Sequence, residues 1–176
     1  MMNELENFRT VNPYSLKGNL LKMLNSEWML ITAGKPEAFN TMTASWGGFG
    51  VLWRKPVATI YIRPQRHTYS FVENSQVFTL SFFGDNHRDA LNFCGSKSGR
   101  DFDKPKETGL TPVLTPAKGI AFNQARLVIE CKKLYADDID PANFLNSSIE
   151  DEVYPQRDFH RFYIAEILDC YELSPR

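Results

Sequence analysis

The chain of 176 residues has the length of one domain, and its 43% hydrophobic and 23% charged residues are typical of a globular protein. Its formal net charge of −1 excludes a global electrostatic attraction to nucleic acid or to an anionic membrane. No stretch approaches the ~18 consecutive apolar residues of a membrane span. The N-terminal residues are acidic where a signal peptide is basic, so we expect a cytoplasmic protein.

The predicted elements are mainly short strands joined by turns. Strands are expected at residues 27–32, 39–46, 57–62 and 76–83, with two long ones at 124–135 and 158–170. Short helices are expected at 68–74, 86–93 and 104–108, with Thr68 as N-cap of the first and Gly95 as the stop after the second. Because no regular βαβ alternation is present, this order predicts a mainly β fold, a single antiparallel barrel over residues 1–176.

The second predicted strand carries the clearest binding pattern. On an extended strand, Thr41, Thr43 and Ser45 face one side, and Met42, Ala44 and Trp46 face the other. Glycines follow directly at positions 47, 48 and 50, where a ligand can approach the backbone closely. A row of hydroxyls ending beside a large aromatic residue suits a flat heterocycle with polar edges.

Two basic segments are candidates for an anion such as phosphate. In residues 63–68, Arg63 and Arg66 can donate paired hydrogen bonds to phosphate oxygens, and Thr68 adds a hydroxyl. Residues 96–104 offer Lys97, Arg100 and Lys104 but do not match a P-loop, because the residue before Lys97 is serine. For both segments the alternative is an ordinary solvated loop.

Other chemistry is weakly indicated. The three cysteines are far apart and form no Cys-x-x-Cys, which predicts neither a disulfide framework nor a structural zinc site. The histidines are too scattered for a metal triad, and no metal is expected. His160 lies two residues after Asp158, where a structural and a functional role are both open. The acidic residues between 137 and 152 lack calcium-loop spacing and read as a solvated loop.

Five segments together resemble a known family. Residues 40–48, 62–69, 78–83, 95–104 and 158–160 occur in the order seen in the flavin reductase-like, FMN-binding split-barrel family, with the greatest similarity to its flavoredoxin-type branch. The resemblance implies a Greek-key split barrel that forms a homodimer. It also implies noncovalent FMN, usually at or near the subunit interface.

The resemblance assigns residues to the FMN site by position. The ring is expected beside Thr41, Met42, Thr43, Ala44, Ser45 and Trp46. The phosphate is expected at Arg63, Gln65, Arg66 and Thr68. The ribityl chain and ring are expected at Ser81, Phe82 and Phe83, and a second phosphate- and ribityl-side loop at Ser96, Lys97, Ser98, Gly99 and Lys104. His160 is expected near the flavin and the incoming nicotinamide, as the one candidate catalytic residue.

Three functions follow as hypotheses. The first is an NAD(P)H-dependent FMN reductase in which hydride passes from nicotinamide to flavin N5, with NADH or NADPH as donor. The second is an electron-transfer flavoprotein with tightly bound FMN and a redox protein partner, for which the acidic 137–152 segment is a docking surface. The third is a flavin-binding protein without catalysis, because a fold does not fix an activity.

Overall fold

The main element of the fold is one curled antiparallel sheet of eight strands. The computed structural model describes residues 2–174. The strand order of the sheet is β3-β2-β6-β9-β10-β5-β4, with β1 paired to the second half of β10 and a separate hairpin formed by β7 and β8. The strands are β1 (Phe8–Val11), β2 (Met29–Lys35), β3 (Ala38–Ala44), β4 (Gly47–Leu52), β5 (Lys55–Ile62), β6 (Val77–Phe82), β7 (Pro112–Leu114), β8 (Ile120–Phe122), β9 (Leu127–Asp138) and β10 (Arg161–Leu173).

The two edges of this sheet meet at a short chain link. β3 and β4 lie at opposite ends of the strand order, yet only Ser45 and Trp46 separate them in sequence. Three residue steps reach at most roughly 11 Å, so the sheet must curl to bring its edges together there. Within residues 2–174, no strand ladder joins β3 to β4. The barrel is therefore split along this seam, which confirms the predicted antiparallel split barrel.

Two apolar layers stabilise the barrel. Side chains such as Ile31, Ile60, Leu80 and Tyr163 fill its interior and are fully buried. A second cluster packs the outer face of β2, β6 and β9 against a helix and the β7–β8 hairpin. The helices are α1 (Leu20–Lys22), which continues as a π turn over Met23–Glu27, α2 (His67–Glu73), α3 (Arg88–Ser96), α4 (Lys104–Thr108) and α5 (Ser147–Val153). Within residues 2–174, none of the helices is both long and apolar enough to cross a bilayer.

The element types were predicted better than their ends. All six predicted strands are present, with ends that differ from the prediction by at most three residues, and the 104–108 helix is confirmed. The N-cap prediction is wrong: α2 begins at His67 after Arg66, and the Thr68 hydroxyl accepts a bond from Asn40 instead. The predicted stop at Gly95 is also wrong, because α3 continues to Ser96. A Cβ at Gly95 would lie 3.3 Å from Thr43, so the glycine permits close contact between helix and strand.

Glu130 is a buried carboxylate that fastens the turn between β7 and β8 to the barrel. It is 1% exposed and accepts hydrogen bonds from the Thr115 hydroxyl, the backbone amides of Ala117 and Gly119 (both 3.3 Å), and the Tyr171 hydroxyl (3.1 Å). These donors offset the cost of burying a charge.

Replacing Glu130 by glutamine is expected to lower the free energy of unfolding by about 2 kcal/mol, because an amide NH2 would face backbone N–H donors. Urea unfolding of Glu130→Gln against Glu107→Gln, an exposed position on α4, measures the effect. The Glu107 variant should stay within about 0.5 kcal/mol of the parent. Equal stabilities for the two variants would contradict this role of Glu130.

Candidate functional site

Two adjoining clefts open where the barrel is split. The first has a volume of about 180 Å³ and the second of about 130 Å³, and Arg66 lines both. The first is lined by Met42, Thr43, Ala44, Ser45, Trp46, Tyr61, Arg63, Arg66 and His160. The second is lined by Gln65, Arg66, His67, Thr68, Ser96, Lys97, Ser98, Gly99, Arg100 and Lys104. The structure thus brings together most residues that the sequence predicted for one ligand.

The seam between β3 and β4 forms one wall of the first cleft, but not as a row of free hydroxyls. The Thr41 hydroxyl is buried and hydrogen-bonded to Thr32 (2.8 Å), and the Thr43 hydroxyl donates to the Leu91 carbonyl (2.5 Å). Both hydroxyls are thus engaged in bonds that hold β3 to its neighbours, and the predicted contacts of these residues with a ligand stay predictions. Thr41 lines neither cleft, whereas Ser45 lines the first.

An aromatic pair also lines the first cleft. The rings of Trp46 and His160 lie 4.9 Å apart, and His160 Nδ1 is 2.9 Å from the Tyr154 hydroxyl. Burial, and secondarily the positive charge of Arg63, lower the pKa of His160 to about 4. The imidazole is therefore neutral at pH 7. Its second ring nitrogen has no hydrogen-bond partner among the described residues and remains available to a ligand.

Arg63 is held by protein groups. It forms an ion pair with Asp158, donates to the Val153 carbonyl (3.0 Å) and lies over the Tyr154 ring at 5.2 Å. Gln65 also donates to Asp158, at 2.5 Å. Arg63 lines the first cleft and these contacts fix the segment before β10, while its predicted contact with a phosphate stays a prediction. The side chain of Arg66, the other arginine of the segment, has no ion-pair partner among the residues that the structure describes.

The second cleft concentrates positive charge beside buried polar groups. Lys104 is 3% exposed, and its Nζ donates to the carbonyls of Thr41 (2.8 Å) and Cys94 (2.9 Å). An ammonium has three protons, so one donor is left over. Burial, with a smaller repulsion from Arg66, lowers the pKa of Lys104 to about 8; burial also lowers the pKa of Arg66. Two desolvated cations facing one cleft favour an anion there.

The loop over residues 96–100 closes this cleft against β3. Asn40 on β3 donates to the Thr68 hydroxyl (2.8 Å), which leaves the hydroxyl proton of Thr68 free for a ligand. Gly99 lies so close that an added Cβ would fall 2.0 Å from the Asn40 side-chain oxygen. Only glycine fits between the loop and this oriented amide.

Replacing Gly99 by alanine is expected to weaken anion binding in the second cleft about tenfold, because the loop must move or Asn40 must release Thr68. Titration with FMN, followed by flavin fluorescence, measures the change. Gly109→Ala, at a glycine with a positive φ of 69° that lines neither cleft, is the strained comparison. An unchanged dissociation constant for Gly99→Ala would show that this contact does not support the cleft.

Four predicted residues do not line either cleft: Thr41, described above, and the buried residues Ser81, Phe82 and Phe83. Ser81 is fully buried and its hydroxyl has no hydrogen-bond partner within residues 2–174, and Phe82 fills the barrel interior. Phe83 packs on Phe122 with ring centroids 6.4 Å apart. Phe82 at the end of the central strand β6 and Phe83 directly after it belong to the two different core clusters.

Two lining residues were missed. Tyr61 lines the first cleft, and the outward position between buried Ile60 and Ile62 was a usable signal. His67 lines the second cleft, inside the basic segment already singled out, but was weighed only as a metal ligand. Within residues 2–174, no group of three His, Cys, Asp or Glu side chains is placed to hold a metal ion.

The fold and clefts define a split-barrel protein with a ring-sized cleft next to an anion cleft. The chain belongs to the flavin reductase like domain family, whose family model matches residues 21–175. No curated protein matched the sequence.

Solved structures share the fold at low sequence identity. An FMN-binding domain of flavin reductases-like enzyme from Shewanella baltica has a TM-score of 0.68 and 18% identity, over 98% of this chain and 79% of that one. The flavoredoxin of Desulfovibrio vulgaris has a TM-score of 0.64 and 21% identity, over 90% and 77%. The NADH:FAD oxidoreductase of Streptomyces globisporus has a TM-score of 0.64 and 13% identity, over 83% and 75%.

Proposed function

We propose that this protein binds FMN across the two clefts and acts as an NAD(P)H-dependent flavin reductase, in which hydride passes from the nicotinamide to flavin N5. The observation that carries the proposal is the position of Arg66, which lines both clefts. A ligand with a flat ring in the first cleft and a phosphate in the second would span this residue. Bound FMN would supply the redox chemistry, so the protein's task is positioning.

The donor set of the second cleft fits a phosphate. Arg66 offers a planar guanidinium, Lys104 one unused ammonium proton, and Thr68 a hydroxyl proton. Charge-assisted bonds of this kind are about twice as strong as neutral ones. The buried position of Lys104 also keeps solvent from competing for these donors.

In the first cleft, His160 would act as a positioning group for the nicotinamide amide. With a pKa of about 4, it is neutral at pH 7 and is a poor source of a proton for reduced flavin. Its ring is fixed by Trp46 on one side and by the Tyr154 hydroxyl on another. A fixed, neutral hydrogen-bonding ring suits orientation of a second ligand for direct hydride transfer.

The related proteins support flavin chemistry but do not show whether NADH or NADPH is the electron donor of this protein. One neighbour is named as an NADH:FAD oxidoreductase and others as FMN-binding proteins or flavoredoxins. The test is the visible spectrum of the FMN-loaded protein during anaerobic addition of NADH and, separately, NADPH. Rapid bleaching of the flavin band by at least one nucleotide is expected. Failure with both would refute the reductase.

A second function has a specific observation in its favour. In the acidic segment, Asp138 pairs with Arg161 and Glu150 with Arg157, while Asp151 and Glu152 are exposed and without an ion pair among the described residues. This segment runs directly into Tyr154, beside the first cleft. An electron-transfer flavoprotein would use it to dock a redox partner. Rapid exchange of FMN with free flavin during turnover would count against this function.

A flavin-binding role without catalysis is the remaining alternative, and a yellow protein that no physiological reductant bleaches would favour it. The cytoplasmic location and the homodimer stay predictions from the sequence. Analytical ultracentrifugation with and without FMN tests the homodimer, which would sediment at twice the mass of 20.2 kDa.

A further inference from the structure

The second cleft has more positive charge than one phosphate needs. Lys104 and Arg66 form its inner part, where the lysine is almost fully buried and the arginine is half-buried. Lys97 and Arg100 line the same cleft but are exposed, so they form an outer rim. A phosphate monoester carries about −1.5 to −2 charges at pH 7, which the two inner cations already balance.

The positive charges of the rim residues Lys97 and Arg100 are available to a ligand. Neither Lys97 nor Arg100 forms an ion pair within residues 2–174. Arg100 makes one long bond to the Gln65 carbonyl (3.5 Å), and Lys97 Nζ lies 5.8 Å from the centre of the Phe102 ring. Asp101 beside them offsets only part of their charge.

An apolar ring accompanies this charge. Phe102 is 39% exposed and is held edge-on by Phe93, with ring centroids 5.5 Å apart. A fixed, half-exposed aromatic ring next to two cations matches a nucleotide, whose base can stack while its phosphate is bound. Inorganic phosphate alone would leave the ring unused.

We propose that Lys97 and Arg100 bind the 2′-phosphate of NADPH, with the adenine near Phe102, and that the protein therefore prefers NADPH to NADH. Basic side chains are the usual means of accommodating this group in nucleotide sites. The inference rests on the proposed function, because the nicotinamide end must lie in the first cleft. It also reassigns Lys97, which the sequence placed at the FMN phosphate, to the outer rim.

The test is calorimetric titration of the FMN-loaded protein with 2′,5′-ADP and with 5′-AMP, two probes that differ by the 2′-phosphate. The 2′,5′-ADP should bind at least tenfold more tightly. The double variant Lys97→Ala/Arg100→Ala should remove this difference. The control Lys106→Ala deletes an exposed charge on the neighbouring α4 that does not line the cleft, and it should keep the difference.

Steady-state kinetics give the second readout. The double variant should raise the ratio of KM for NADPH to KM for NADH about tenfold or more, and Lys106→Ala should leave this ratio unchanged. Equal binding of the two probes to the parent, or an unchanged ratio in the double variant, would overturn the inference. A double variant that instead loses FAD affinity, with no discrimination between the probes, would also overturn it by assigning the rim to a flavin pyrophosphate.

Different results would refute the reductase proposal and the assignment of Lys97 and Arg100 to the 2′-phosphate. If neither nicotinamide nucleotide bleaches the flavin but 2′,5′-ADP is still preferred through Lys97 and Arg100, the reductase proposal falls and the phosphate-binding rim stands. If NADH and NADPH bleach the flavin equally well and the probes bind equally, the reductase stands and the rim assignment falls.

Discussion

Replacing Arg66 by alanine is expected to weaken FMN binding about 100-fold while changing riboflavin binding less than threefold. Riboflavin has the same ring and ribityl chain but no phosphate. The guanidinium lines both clefts, is half-buried and has no ion-pair partner among the described residues, so its donors are free for an anion. Loss of a charge-assisted, two-pronged contact of about 2.7 kcal/mol corresponds to this factor.

Fluorescence titration of both flavins against the parent, Arg66→Ala and Lys106→Ala gives the comparison. Lys106→Ala removes the same formal charge from an exposed site that lines neither cleft, and should change FMN affinity less than threefold. Equal losses of FMN and riboflavin affinity in Arg66→Ala would mean that the arginine supports the ring cleft and not a phosphate.

Replacing Lys104 by methionine should also weaken FMN binding about 100-fold, and it should change the pH dependence. In the parent, the lysine is charged below its pKa of about 8 and a bound phosphate favours the charged form. FMN affinity should therefore fall as pH rises above 8. In Lys104→Met this fall should disappear, because no group at that position titrates.

The stability of the flavin-free protein should show the opposite trend. The pKa of Lys104 is about 8 in the folded chain and 10.5 in the unfolded chain, so between these values the unfolded chain binds more protons. The contribution of Lys104 to the free energy of unfolding therefore rises with pH across this window. Thermal unfolding and FMN titration between pH 7 and 10 measure both trends. If stability and FMN affinity changed in the same direction with pH, the assignment would be contradicted. It would also be contradicted if FMN affinity still fell above pH 8 in Lys104→Met.

The barrel could be predicted from sequence because its signals are local. Alternating and β-branched runs in β5, β6 and β9 identify strands, and turn residues separate them. β4 was missed, because three glycines remove the alternation over residues 47–50. The small hairpin β7–β8 was also missed, since its three-residue strands carry too short a pattern.

The sequence identified the segments that form the site, but not the hydrogen-bond partners of their individual side chains. Both basic segments were identified, and they do meet in one cleft. The sequence does not reveal that Asp158, 95 residues away, forms an ion pair with Arg63. Nor does it reveal that the hydroxyls of Thr41 and Thr43 are used by Thr32 and Leu91. Such competition between ligand and protein partners is decided by tertiary contacts.

A crystal structure of the protein grown with excess FMN tests the central claim most directly. We expect the flavin phosphate within hydrogen-bond distance of Arg66 and Lys104, and the ring in the cleft between the β3–β4 link and His160. Electron density for FMN at any other place, or an empty seam at saturating FMN, would contradict the account.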